Sequence, residues 1–123
     1  MTLIELVVVI SITAMLMSAV GVYALGAYRE SRIKSSKMDV QNALTALDMY
    51  LAAKGKYPDP SEGFAPVVKL RALKSEPKDA WGNALIWELR EGEAIVKSLG
   101  ADGVVGGAED DADLSSANQT STQ

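Results

Sequence analysis

The chain of 123 residues contains no cysteine and no histidine. Without cysteine there is no disulfide framework and no thiolate metal site. Without histidine, most general-base, triad and transition-metal chemistry is absent. Hydrolysis would have to rest on carboxylates alone, so the expectation is a protein that is not an enzyme. Aromatic residues are sparse at 6% and no basic patch is interleaved with them, which argues against a nucleic-acid partner. Tyr23, Tyr28, Tyr50, Tyr57, Phe64, Trp81 and Trp87 read as packing residues, not as an electron conduit.

Charge is also missing from one long stretch. Residues 6–28 hold no charged side chain over 23 positions. As a helix this run is about 34 Å long, enough for a hydrocarbon core of about 30 Å. Residues 29–123 then leave a modest core. No basic region precedes the run, as a secretory signal peptide would require. The first cations, Arg29, Arg32, Lys34 and Lys37, follow it. The positive-inside rule would put the C-terminal part in the cytoplasm; the alternative is a mature chain whose basic leader has been removed.

After Tyr28 the helical pattern changes character. Ile33, Val40, Leu44, Leu47 and Leu51 are spaced 7, 4, 3 and 4 apart, one stripe of an amphipathic helix. Lys54 and Gly55 supply stop signals, with Pro58 soon after. Residues 1–54 therefore read as one long helix with Gly21 and Gly26 as its weak points: a hydrophobic part, 1–28, and an amphipathic part, 29–54. All four prolines fall in the connector that follows, with a short helix expected around 66–73. ALIWELR alternates, placing Leu85, Trp87 and Leu89 on one face. EGE turns the chain and AIVKSL returns, giving a β-hairpin that packs on the helix stripe. A globular head over 55–114 and a flexible tail over 115–123 complete the division.

Between hairpin and tail lies SLGADGVVGGAEDDADL, rich in glycine and in acids: Asp102, Glu109, Asp110, Asp111 and Asp113. Clustered carboxylates repel, and a glycine-rich backbone loses much entropy on ordering. A cation relieves both costs, and oxygen donors in a flexible loop suit Ca²⁺ better than Mg²⁺. EF-hand spacing is absent. A solvated acidic segment fits the same pattern. Glu5, at the edge of the apolar run, likewise has two readings. It is either an acid favoured by the helix dipole or snorkelling at a membrane edge, or the partner of an α-amino group on a neighbouring chain.

MTLIELVVVISI resembles the N-terminus of type IV pilin-like proteins, with Met1, Thr2, Leu3 and Glu5 matching position by position. ALDMYLAAKGKYP, DAWGNALIWEL and SLGADGVVGGAEDDAD resemble segments of the major pseudopilins of type II secretion systems, in that order. The chain departs at Val22 and Ala80, where prolines are usual, and lacks the usual G-N-W after the loop.

The resemblance implies an α+β fold: a long N-terminal helix, a small antiparallel β-sheet head and a calcium loop. It implies Ca²⁺ held by the Leu99 carbonyl and Asp102, with Asp113, Asp111 and Asp110 as further candidates. It implies a leader removed by a prepilin peptidase, N-methylation of Met1, and Met1 and Glu5 at subunit contacts. The expected product is a helical homopolymer, a piston-like pseudopilus for export of folded proteins, built with minor pseudopilins on an inner-membrane platform. Before assembly the chain would cross the inner membrane once with its head in the periplasm, against the positive-inside rule. A type IV pilin for adhesion or motility, and a singly anchored calcium-dependent binding module, are the alternatives.

Overall fold

The computed structural model describes residues 1–104 and 114–119. Helix α1 spans Leu3–Lys54, 52 residues. No proline interrupts it, and the chain stays helical through Gly21, Val22 and Gly26. It stops where Gly55 takes φ 78°, its N–H closing on the Leu51 carbonyl at 2.7 Å. A left-handed residue just past the last turn suits glycine, which has no Cβ to clash.

The chain forms two compact units, Met1–Ser31 and the residues from Arg32 onward. In the first unit every side chain is exposed. Three of its hydroxyls turn inward: Ser11, Thr13 and Ser18 donate to the carbonyls of Val7, Val9 and Ala14 at 2.7, 2.8 and 2.9 Å. These three polar groups are thus satisfied within the helix, as an apolar solvent demands. By length and composition this helix can cross a membrane.

The second unit holds the core: Val40, Ala43, Ala46, Leu47, Phe64, Val67, Leu85, Trp87, Ala94 and Val96. Of the expected stripe, Val40 and Leu47 are fully buried, whereas Ile33, Leu44 and Leu51 are only partly so. The deepest line is Ser36, Val40, Ala43 and Leu47, spaced 4, 3 and 4. Counting only bulky residues misses it, because Ser36 and Ala43 are small yet fully buried. Burying each of the large members contributes about 1.5–3 kcal/mol.

The connector contains a 3₁₀ turn at Pro60–Glu62 and helix α2 at Ala65–Lys69. Helix α2 ends before the expected Leu73 because Arg71 turns to φ 63°. Strands β1, Ile86–Arg90, and β2, Glu93–Ser98, pair in register Arg90↔Glu93. Glu91 and Gly92 both take positive φ, which matches the twist of a two-residue hairpin loop. Trp87 sits 6.5 Å from Tyr57 and 6.4 Å from Phe64 between ring centroids, and its indole N–H donates to the Gly63 carbonyl at 2.8 Å. Leu85 and Trp87 face the core as expected. Leu89, close to the hairpin loop, remains 43% exposed.

The C-terminal residues require a correction. Instead of a flexible tail from Ser115, strand β3, Leu114–Ser115, pairs antiparallel with β2 in the order β1-β2-β3, and helix α3 covers Ser116–Gln119. Ser116 is buried, and its Oγ accepts the Val96 N–H at 3.0 Å. A strand donor without a ladder partner is costly when buried, and this hydroxyl supplies the partner.

Candidate functional site

At the N-terminus, Thr2 and Glu5 form a reciprocal pair. The Glu5 N–H donates to Thr2 Oγ1 at 3.2 Å, and the Thr2 N–H donates to Glu5 Oε2 at 3.4 Å. This is a capping box, legible as Thr-x-x-Glu, and it gives Glu5 a local role that the sequence reading did not consider. Both side chains remain exposed. Met1, Ile4, Val8 and Val9 line a shallow apolar groove beside the Glu5 carboxylate.

The second cluster is built on the turn Asp79–Asn83. Asp79 is buried, yet each oxygen of its carboxylate is partnered. Oδ1 accepts the N–H groups of Trp81 at 3.0 Å and Asn83 at 2.9 Å, while Oδ2 accepts the Ser98 hydroxyl at 2.7 Å. An aspartate that bonds the backbone two residues on imposes a turn, here just ahead of β1. The turn is also tied to α1. The Ala80 N–H donates to the buried Ser36 Oγ at 2.9 Å, and the Arg32 guanidinium donates to the Ala80 carbonyl. A proline at position 80 would have no N–H and could not make the bond to Ser36.

Charge from this cluster reaches Asp39, whose carboxyl is raised above its ordinary range by burial and, secondarily, by Asp79. On the sheet the shift runs the other way. Lys97 donates to Glu88 at 2.8 Å, and this bond and its charge, with help from Arg90, hold Glu88 below the ordinary carboxylate range.

The described start of the acidic loop meets this turn, with the Asn83 amide donating to the Gly100 carbonyl at 2.9 Å. Leu99 is half-buried directly after β2, and Asp102 is exposed with Oδ1 accepting the Val104 N–H at 3.1 Å. Asp110, Asp111 and Asp113 lie outside the described residues. Among the described residues no three acidic side chains gather as a metal cluster. In its donor chemistry the segment fits a hard cation: carboxylates and carbonyls are present, and neither imidazole nor thiolate is. Sequence reasoning singled out Leu99 and Asp102 but missed Asp79, Asn83, Ser98 and Ser36. The Asp-x-x-Gly-Asn spacing signalled the turn. Nothing local signalled contacts 17 to 44 residues away.

A long N-terminal apolar helix joined to a small antiparallel three-stranded sheet defines an α+β, pilin-like subunit. The chain matches the family described as "Type II secretion system (T2SS), protein G" over residues 23–117. It is also similar to the type II secretion system core protein G of Pseudomonas aeruginosa, 31% identical over 92% of this chain and 90% of the relative. The proteins of the same description from Vibrio cholerae and Pectobacterium carotovorum are each 30% identical, covering 95% and 89% of this chain and 90% and 80% of the relatives. The chain belongs to the type II secretion system protein G family.

Proposed function

We propose that the chain is a structural subunit of a type II secretion pseudopilus, a major pseudopilin that polymerises into a helical filament. The observation that carries this is the first unit of α1: an uncharged helical surface over residues 6–28, with no side chain buried, in a member of this family. Such a surface calls for lipid or for other helices of its own kind. Before assembly it anchors the chain in the inner membrane with the head in the periplasm. On assembly it moves among neighbouring copies on an inner-membrane platform, with minor pseudopilins, to drive folded proteins outward. A prepilin peptidase acts upon the precursor, and Met1 carries the N-methyl group. Ca²⁺ is held at the loop by the Leu99 carbonyl, Asp102 and, from the segment beyond, Asp113, Asp111 or Asp110. The excess of oxygen donors there supports this reading.

Glu5 then has two tasks. Within a subunit it closes the capping box; between subunits it meets the α-amino group of a neighbour's Met1. Glu5→Gln separates them, because glutamine can keep the cap while losing the charge. A role confined to the cap or dipole predicts a cost below about 1 kcal/mol and normal filaments. A buried inter-subunit pair predicts about 3–5 kcal/mol at every subunit added, and failed assembly. Membrane fractionation with electron microscopy of the variant is the test. Abundant ordered filaments would remove the inter-subunit role, and absence of filaments from the unmodified chain would remove the polymer.

A further inference from the structure

Resting on the calcium reading, we infer that Asn83 is a positioning residue for the cation loop, fixing its first turn before the ion arrives. Two contacts place the Asn83 amide against that turn. Its Nδ2 donates to the Gly100 carbonyl at 2.9 Å. The same amide lies beside Gly103, where an added Cβ would be 3.4 Å from Cγ, Nδ2 and Oδ1 of Asn83. Gly100 and Gly103 take φ 78° and 64°, and the Gly103 N–H also closes on the Gly100 carbonyl at 3.4 Å. The two described ligand candidates flank this arrangement: Leu99 precedes Gly100, and Asp102 lies between the two glycines.

Asn83 is itself held on both sides. Its N–H bonds Asp79 Oδ1, and its carbonyl accepts the Asp79 N–H, both at 2.9 Å. Asp79 is anchored in turn by Ser98 at the end of β2, and neighbouring Ala80 by Ser36 of α1. The amide therefore projects from a fixed turn toward a glycine-rich segment that would otherwise lose much entropy on ordering. A partner that orients metal-binding groups without touching the metal typically sets about 10–100-fold in affinity.

The experiment titrates CaCl₂ into the full chain in detergent, by calorimetry, for the unmodified protein and for Asn83→Ala. The expected result is calcium binding weakened about 10–100-fold in Asn83→Ala. The calcium-free melting temperature should fall far less than the calcium-induced rise does. A second variant, Asn83→Asp, keeps the size, removes the N–H donor and adds a negative charge near the loop. Charge attraction alone would tighten calcium there; loss of positioning weakens it. Unchanged affinity in Asn83→Ala, or tighter binding in Asn83→Asp, would overturn the assignment. No binding by the unmodified chain would overturn the calcium reading and take the assignment with it.

Discussion

The two stretches of α1 share one secondary structure and differ in what holds it. From Leu3 to Ser31 no side chain is buried; from Arg32 to Lys54, Ser36, Val40, Ala43, Ala46 and Leu47 are. The later stretch is stabilised by the sheet and connector packed on one of its faces. The earlier draws on its backbone bonds, its cap and the inward-turned hydroxyls, with no buried side chain, and helices with little tertiary packing are marginal in water. A helix that is apolar all round needs an apolar environment. One stretch is therefore a folding element of the subunit and the other an element of whatever surrounds it.

That division can be broken by mutating each stretch and reading both outcomes. Trp81 and Trp87, the two tryptophans of the chain, lie in the second unit, so their fluorescence reports on the head alone. Leu47→Ala should destabilise the head by about 2–5 kcal/mol, as a fully buried leucine truncated to alanine does. Its insertion into membranes should be unchanged. Val8→Lys should do the reverse, costing about 2.5–3.5 kcal/mol on insertion and abolishing filaments while the tryptophan melt stays put. Equal loss of head stability in both variants would mean that the stretches are not separately supported.

Calcium separates the two stretches further, because its effect should be confined to the head. At 100-fold excess over its dissociation constant it should add about 2.7 kcal/mol to the tryptophan-detected melt of the full chain in detergent. Asp102→Ala should remove that gain. Identical melts with calcium and with chelator would return the acidic segment to a merely solvated one.

The smallest effect concerns Asp39. Its folded-state carboxyl is raised by burial and by Asp79, so the folded head holds that proton more tightly than the unfolded chain. The stability it contributes is present below the ordinary carboxylate value and lost as pH rises through the raised one. Asp39→Asn should therefore give a slightly higher melting temperature at neutral pH and a smaller loss between acid and neutral pH. Glu88, held low by Lys97, has the opposite sign: its contribution is present above the ordinary value and lost as pH falls. Glu88→Gln should lower the neutral melt slightly, and a rise would reverse that assignment.

The long helix, its two-part character and the hairpin were legible in the chain because each rests on local pattern: an uncharged run, a period near 3.6, an alternation and a turn. Local pattern failed where distant residues decided. Ser115 and Ser116 look like polar tail, yet one pairs with Lys97 and the other takes the Val96 N–H. Ser36 looks like a solvent-facing serine on a helix, yet it is fully buried and bonds Ala80. Leu89 continues an apolar alternation and stays exposed.

Residue type and order alone set the uncharged surface of residues 6–28, the stop at Lys54–Gly55 and the oxygen-only donor chemistry of the loop. These follow from residue type and near-neighbour geometry, which no folding is needed to read. Long-range contacts bury Asp79 and complete its bonds, set Asn83 against Gly100 and Gly103, and close the sheet with β3. Each of these needs residues 17 to 20 positions apart to be brought within hydrogen-bond reach. Sequence spacing does not encode that distance; packing of the sheet on Val40, Ala43 and Leu47 creates it.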